Sequence, residues 1–142
     1  MGVKHANFSH EQFVVKEPVT LEPTPWRHDQ PYYCVDGDDI VSLWMQLDPV
    51  PKQWGEEFIA WLHKWGRWFR TKQFAGQDYD QDEDGFEEMP NIEADRGQYK
   101  TLSFDLESGD CVALYFSTVH VAPGNGSGTT RRPGNCVALV RG

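Results

Sequence analysis

The chain has 142 residues, a formal net charge of −9 and a pI near 4.9, and its six Trp, five Tyr and eight Phe suffice for one folded core. An acidic chain with scattered Lys and Arg is unsuited to nucleic acid, whose phosphates are bound by clustered cations. No apolar run reaches the ~18 residues that a membrane span needs, and the N-terminus has no signal-peptide core. We therefore expect one soluble, cytoplasmic domain spanning residues 1–142 that binds neither nucleic acid nor membrane.

The first half of the chain contains short apolar or alternating runs that are typical of β-strands. The run QFVVKEP (12–18) predicts a strand that Pro18 ends. In DIVSLWMQLDP (39–49), apolar residues occur at odd and at even positions, so both faces of a strand would carry apolar side chains. This pattern predicts a strand that is covered on both faces. The segment EEFIAWLHKW (56–65) permits either a strand or a short helix.

The segment 75–98 is acidic and poor in strand formers, which predicts a long surface insertion with one helical turn near 92–96. Within it, DQDEDG (80–85) imitates the first half of an EF-hand loop. Position twelve of that loop would be Asn91 instead of the bidentate Glu. An acidic calcium-binding module therefore remains only as an alternative function.

The second half of the chain again indicates strands. The segment 101–123 has turn residues at 107–110 between two apolar runs, which predicts a hairpin, and CVALV (136–140) predicts a last strand. Core strands over about 12–62 and 101–141 favour a sandwich or barrel. An odd number of cysteines gives no disulfide framework, so we expect small buried hydrophobes at Cys34, Cys111 and Cys136.

Two separated motifs carry candidate chemistry. In PTPWRHDQPYYCVDG (23–37), the neighbours His28 and Asp29 point to opposite faces of an extended strand, so as a metal-ligating pair they are one residue out of register. His120 follows an apolar strand, and a Gly-rich loop leads from it to Arg131 and Arg132. A His and an Asp from an earlier strand loop, a distal His and an Arg about ten residues beyond it fit a non-heme Fe(II) oxygenase, in which the Arg binds a cosubstrate carboxylate.

The chain resembles the phytanoyl-CoA dioxygenase family of Fe(II)- and 2-oxoglutarate-dependent oxygenases. Members of that family read approximately VKEPGT…TPWHxDQPYY.VDG…SLW.ALDPV…GSHKWGR.F. The matching text here is VKEPVTLEPTPWRHDQPYYCVDGDDIVSLWMQLDPVP, then HKWGRWF, then ESGDCVALYFSTVHVAPGN and RRPGN. These motifs occur in the same order and extend over residues 13–142.

The resemblance implies a mainly β, cupin-like jelly roll (a double-stranded β-helix) with iron at one mouth and 2-oxoglutarate as cosubstrate. It implies that Asp29 and His120 are metal ligands. It implies that Arg131, or Arg132 if the register is shifted by one, binds the far carboxylate of 2-oxoglutarate. Trp44 matches an aromatic residue of the cosubstrate pocket. The positions expected only to line the pocket are Lys16, Arg27, Gln30, Tyr32 and Tyr33.

The chain departs from the family pattern mainly at the site. Arg27 stands where the first ligand His belongs, and a guanidinium has no lone pair for a metal. His28 could replace that ligand only if a bulge redirected it toward Asp29. Bulky WLH (61–63) replaces the family's GSH, and Val121 replaces the Gly that usually follows the distal His.

Three functions stay open. The first is a dioxygenase that hydroxylates a small organic substrate, the second is a catalytically inactive jelly roll that lacks one iron ligand, and the third is the calcium module. Family members usually carry more elements before the first core strand, so we expect a fold that is incomplete at its N-terminus. Apolar surface left bare in this way would favour self-association.

Overall fold

The computed structural model describes residues 4–35, 37–70, 72–73 and 85–142. Within these ranges every helix is a 3-10 helix of three residues, and none is long and apolar enough to cross a membrane. The 3-10 helices are Gln30–Tyr32, Leu62–Lys64 and Arg96–Gln98. The strands are β1 (Ala6–Lys16), β2 (Ile40–Gln46), β3 (Glu57–Ile59), β4 (Thr101–Leu102), β5 (Cys111–Tyr115), β6 (His120–Val121) and β7 (Arg132–Arg141).

The strands form two antiparallel sheets, which confirms the predicted mainly β class. The larger sheet has the order β1-β7-β2-β5, and the smaller has the order β4-β3-β6. Isolated bridges join Thr20 to Asn125 and Arg27 to His120, so the segment between Thr20 and Arg27 runs beside β6 as a further member of the smaller sheet. The chain thus encloses a space between two layers.

The predicted hairpin over 101–123 is wrong. The expected turn is present, since the Asp110 N–H donates to the Glu107 carbonyl at 3.0 Å. However, β4 pairs with β3 in the smaller sheet, whereas β5 pairs with β2 in the larger sheet. The two apolar runs are neighbours in sequence but belong to different layers, because the chain crosses from one sheet to the other between them.

The predicted strands are mostly present, with shifted ends. β1 begins at Ala6, well before the expected residue 12, and β2 lies inside the expected 39–49. The ambiguous segment 56–65 contains both alternatives, because β3 is followed by the 3-10 helix Leu62–Lys64.

The acidic segment 85–98 is mostly exposed, as expected of a surface insertion, but part of it also contributes to the core. Ile92 is only 1% exposed and packs in a core cluster with Trp26 and Val119, and Met89 packs against the same cluster. The apolar residues of this segment therefore contribute to the core beside the smaller sheet. The EF-hand-like positions Asp80, Asp82 and Asp84 lie outside the described residues.

Two further expectations concern exposed surface. Cys136 is buried as expected, but Cys34 and Cys111 are exposed, so the prediction of three buried cysteines is wrong for two of them. β1 is an edge strand on which Phe8 and Phe13 are about two-thirds exposed (63% and 60%). Self-association stays a prediction.

Candidate functional site

A cavity of about 640 Å³ lies between the two sheets. One side, which we name the four-stranded wall, consists of the cavity-facing residues of β1, β7, β2 and β5. Because side chains alternate along a strand, every second residue of β2 faces this space. The other side, which we name the second wall, consists of the cavity-facing residues of the segment 20–29, Gly55, Glu56 and β6. Polar residues of the four-stranded wall are Gln12, Lys16, Ser42, Trp44, Gln46 and Arg132.

Asp29 and His120 meet on the second wall. The His120 Nε2 lies 3.6 Å from the Asp29 Oδ1. The His120 Nδ1 lies 3.0 Å from the Thr118 carbonyl, which assigns the proton to Nδ1 and leaves the Nε2 lone pair toward Asp29. Ser42 Oγ donates to the Asp29 Oδ2 at 2.7 Å. Burial lowers the pKa of His120, so its imidazole is neutral at ordinary pH. Both expected ligands are therefore oriented as a metal-binding pair would be.

Arg27 completes this end of the cavity with a cation. Its backbone pairs with His120, through N–H···O bonds of 3.0 Å and 2.8 Å, and its side chain lines the cavity. A guanidinium offers no lone pair to a metal. Among the residues that the structure describes, no three His, Cys, Asp or Glu side chains are grouped closely enough to hold an ion. The two-His-one-carboxylate iron site expected from the resemblance therefore does not fit this chain.

His28 does not supply the missing ligand. Its ring is 3% exposed, its Nε2 accepts from the Phe69 N–H at 3.0 Å, and it packs edge-on against the Phe69 ring. Burial lowers the pKa of His28 to about 4, so the ring is neutral. These contacts with Phe69 hold His28 away from the cavity, which Asp29 lines and His28 does not.

The two arginines at the start of the last strand face different surroundings. Arg131, the first choice for carboxylate binding, is exposed and its Nε donates to Glu17 Oε2 at 2.9 Å. Arg132, the alternative, lines the cavity, and its Nη2 donates to the Pro123 carbonyl at 2.9 Å. The Arg132 Nη1 is buried without a hydrogen-bond partner in the described part of the chain. The shifted register is therefore the one that places an arginine in the cavity.

Two other polar atoms of the four-stranded wall resemble Arg132 Nη1 in this respect. Trp44 Nε1 and Gln46 Oε1 are buried and have no partner among the described residues. Gly134 lies behind the indole, where an added Cβ would stand 2.7 Å from the Trp44 Cζ2. The ring therefore lies against the β7 backbone. Buried polar groups are normally satisfied, so two donors and one acceptor left at one cavity indicate room for a polar ligand.

Lys16 adds a fixed positive charge to this wall. Its Nζ donates to the carbonyls of Glu22, Ala122 and Pro123 at 3.1, 3.0 and 2.7 Å. Burial, with the charges of Arg132 and Arg27, lowers the pKa of Lys16 to about 8, so it is still mostly charged at neutral pH. Because its three donors are engaged, Lys16 acts on a ligand through its charge.

The remaining expected lining residues divide into two groups. Tyr32 and Tyr33 line the cavity, and burial raises the pKa of Tyr33 to about 12, so its phenol is neutral. Gln30 does not line it, because its amide donates to the Val35 carbonyl at 2.6 Å. Sequence reasoning missed Glu56 and Gln46. The signal for Glu56 was two adjacent glutamates before a strand, which must face opposite ways.

Comparison with known proteins identifies the fold. The sequence model of the phytanoyl-CoA dioxygenase (PhyH) family matches residues 3–133. No curated protein matches significantly. A similar solved structure is the non-heme alpha ketoglutarate dependent carbocyclase SnoK from nogalamycin biosynthesis, with a TM-score of 0.73, 20% identity, and coverage of 96% of this chain and 51% of SnoK.

Two further structures agree with this result. EvdO2 from Micromonospora carbonacea var. aurantiaca, complexed with 2-oxoglutarate, has a TM-score of 0.70, 18% identity, and coverage of 96% of this chain and 52% of EvdO2. The apo non-heme monooxygenase ThoJ has a TM-score of 0.71, 15% identity, and coverage of 96% and 46%. The chain spans about half the length of these proteins. These likenesses confirm the cupin-like jelly-roll fold, and with a family match over most of the sequence the chain belongs to the phytanoyl-CoA dioxygenase family.

Proposed function

We propose that this protein binds a small organic acid such as 2-oxoglutarate on the four-stranded wall, without iron and without oxygenase turnover. The observation that carries the proposal is a pair of buried donors on a cavity of about 640 Å³, Arg132 Nη1 and Trp44 Nε1, for which the described part of the chain supplies no partner. A cavity of this size is typical of small-molecule sites. A separate reason for the proposal is that no third metal-ligating side chain joins Asp29 and His120 within the described ranges.

The chemistry of the wall suits a carboxylate. Charge-assisted hydrogen bonds from a guanidinium are among the strongest that proteins make, and the Arg132 Nη1 and the indole N–H can both donate to one carboxylate. Lys16 strengthens the positive potential beside them. Gln46 Oε1 can accept from a hydroxyl or a protonated acid of the ligand. The 2-oxoglutarate complex of EvdO2 supports 2-oxoglutarate as the first ligand to test.

The proposal is tested by isothermal titration calorimetry with 2-oxoglutarate in the presence of EDTA. We expect binding without metal, and no binding of the dimethyl ester, which lacks both charges. A parallel assay with Fe(II), 2-oxoglutarate and O₂ should give no succinate above the protein-free control. Binding that requires added Fe(II) or Mn(II) would contradict the metal-free proposal.

A specific observation favours oxygenase activity as the second candidate. Asp29 and His120 keep the mutual orientation of a ligand pair, with Nδ1 of His120 and Oδ2 of Asp29 each held by a hydrogen bond. Fe(II)-dependent succinate formation that disappears in both Asp29→Ala and His120→Ala would establish this candidate over the first.

A further inference from the structure

Glu56 places a carboxylate inside the cavity that sequence reasoning did not identify. It immediately precedes β3, so its side chain and that of Glu57 point to opposite faces. Glu57 Oε2 accepts from Arg96 Nη1 at 2.8 Å on the outer side. Glu56 is half-buried and lines the cavity. Two identical neighbouring residues therefore have different surroundings, and each serves as a control for the other.

The groups that act on the Glu56 carboxyl come from three elements. Arg27 on the segment beside β6, Arg132 on β7 and Lys16 on β1 favour its ionised form, whereas Asp29 disfavours it. His120 lines the same cavity but is kept neutral by burial, so it adds no charge. Two other charged residues line the cavity, Glu22 and Lys72, and their opposite charges cancel in the sum.

The net charge of the cavity therefore depends on one proton. Lys16, Arg27 and Arg132 contribute three positive charges, and Asp29 contributes one negative charge. With Glu56 ionised the sum is 3 − 2 = +1, which is matched by a monocarboxylate. With Glu56 protonated the sum is 3 − 1 = +2, which is matched by a dicarboxylate.

We propose that Glu56 competes with the ligand for the cations of the cavity, so that a dicarboxylate binds together with a proton taken up by Glu56. This inference rests on the proposed function, because it concerns the same cavity and the same cations. It assigns Glu56 as the residue that selects between singly and doubly charged acids. A monocarboxylate of the same length binds without this proton.

The ionisation of Glu56 agrees with such a role. Burial raises the pKa of Glu56 to about 7 even though Arg27, Arg132 and Lys16 act in the opposite direction. The carboxyl is thus close to half protonated at neutral pH, and the arrival of another anion shifts it toward the neutral form. By linkage, affinity for the dianion should fall about tenfold per pH unit above about pH 7 and level off below it.

The experiment is calorimetric titration in EDTA from about pH 6 to about pH 8.5, with 2-oxoglutarate and with 2-oxopentanoate, which has the same chain length but lacks the far carboxylate. Wild type, Glu56→Gln and Glu57→Gln are compared. Lys16, whose pKa of about 8 is raised by Glu56, also titrates in this range, so Glu56 is assigned from the excess proton uptake of wild type over Glu56→Gln at the same pH. Repeating the wild-type titration in buffers of different ionisation enthalpy measures proton uptake without any variant.

At about pH 8, where free Glu56 is mostly ionised, we expect the wild type and Glu57→Gln to take up nearly one proton more with 2-oxoglutarate than with 2-oxopentanoate. At the same pH, Glu56→Gln should take up distinctly fewer protons than wild type, with the remainder coming from Lys16, and should bind 2-oxoglutarate about tenfold more tightly than wild type. Binding with no proton uptake by the wild type, or with the same pH dependence in Glu56→Gln, would overturn this inference and leave the proposed function standing. Binding of neither acid by any of the proteins at any pH would overturn both.

Discussion

The two walls of the cavity differ in how far they keep the family's chemistry. On the four-stranded wall, regular alternation along β1, β7 and β2 presents Lys16, Arg132 and Trp44 to the cavity. The second wall carries Arg27 in place of a ligand His. The non-glycine residues with positive φ in the described ranges are Val19 (62°), just before this wall's first segment, and Trp61 (70°), just after β3. Both stand where the family pattern reads Gly. The comparison teaches that cationic lining residues can be retained on one wall while a position expected to bind metal differs on the other.

The largest expected effect is a gain in metal affinity when a histidine is placed at position 27 of the second wall. Arg27→His would place an imidazole beside Asp29 and His120 and so complete a three-ligand set. We expect the affinity for Co(II) or Fe(II) to rise by at least about a hundredfold, because even residues behind the ligands change metal affinity by about 10- to 100-fold. Calorimetry and the visible absorption of bound Co(II) measure this gain.

The matched control is Arg27→Gln, which removes the same positive charge without adding an imidazole. If Arg27→Gln gained as much affinity as Arg27→His, the effect would come from charge alone. If neither variant bound metal, the assignment of position 27 to the missing ligand would be refuted.

The second prediction removes the main donor of the four-stranded wall. Arg132→Ala should weaken 2-oxoglutarate binding by about 10- to 150-fold, since a hydrogen bond to a charged group contributes about 1.5–3 kcal/mol. Arg131→Ala, which breaks only the exposed ion pair with Glu17, should change it by less than about twofold. Calorimetry at a fixed pH and ionic strength measures both, and the reverse ranking would restore Arg131 as the carboxylate-binding residue.

The third prediction concerns the pH dependence of the free energy of unfolding that His28 contributes. This residue lies behind the second wall, on the side away from the cavity. The pKa of His28 is lowered from 6.5 to about 4 by burial, so the folded state binds fewer protons than the unfolded state. The stability that this histidine contributes is present above pH 6.5 and is lost as the pH falls to about 4, by at most about 3 kcal/mol. The check is urea denaturation of wild type and His28→Gln at about pH 7.5 and about pH 5.

The contribution of Glu56 to stability changes with pH in the opposite direction over part of this pH range. Its pKa is raised to about 7, so its contribution is present below about pH 4.5 and is lost as the pH rises to about 7. Both proteins contain Glu56, and the difference between them therefore reports His28. An equal acid-induced loss in wild type and His28→Gln would exclude the histidine as its source.

The smallest expected effect comes from relieving backbone strain near the second wall. Trp61 is 65% exposed and has φ of 70°, a conformation that costs a non-glycine residue about 1–2 kcal/mol. Trp61→Gly should raise the free energy of unfolding by about 1 kcal/mol after the greater chain entropy of Gly is subtracted. The control is Leu21→Gly, at an equally exposed residue of negative φ, which should lower stability. Urea midpoints measure both, and a stability loss in Trp61→Gly would show that its ring contacts outweigh the strain.

Much of the fold could be predicted from sequence because the strand signals are local. The alternation of 39–49 predicted β2, and the flanking motif identified Asp29 and His120. The hairpin over 101–123 failed because strand pairing depends on contacts distant in sequence. The sequence left Arg131 and Arg132 as alternatives for a related reason, since a shift of one residue turns a side chain to the opposite face, and in the structure Arg132 is the one that lines the cavity.

Glu56 is a clearer example of a site residue that local sequence patterns do not predict. Nothing in EEF states which glutamate faces the solvent, and the answer depends on Arg96, which lies far along the chain and pairs with Glu57. Its pKa is raised by burial and held down by cations that three separate elements contribute. Properties that arise from converging segments become visible only in the folded structure.

Gly134 has a consequence for ligand size. Because it has no side chain, the Trp44 indole lies directly against the β7 backbone, at a separation that would leave an added Cβ 2.7 Å from the ring. Any other residue at position 134 would have to displace the rigid, bulky ring of Trp44. Because the cavity is the space beside the ring, the ring would move into the cavity. The depth available between the indole and the second wall is therefore set by a single missing methyl group. That depth would limit the length of the proposed acid ligand.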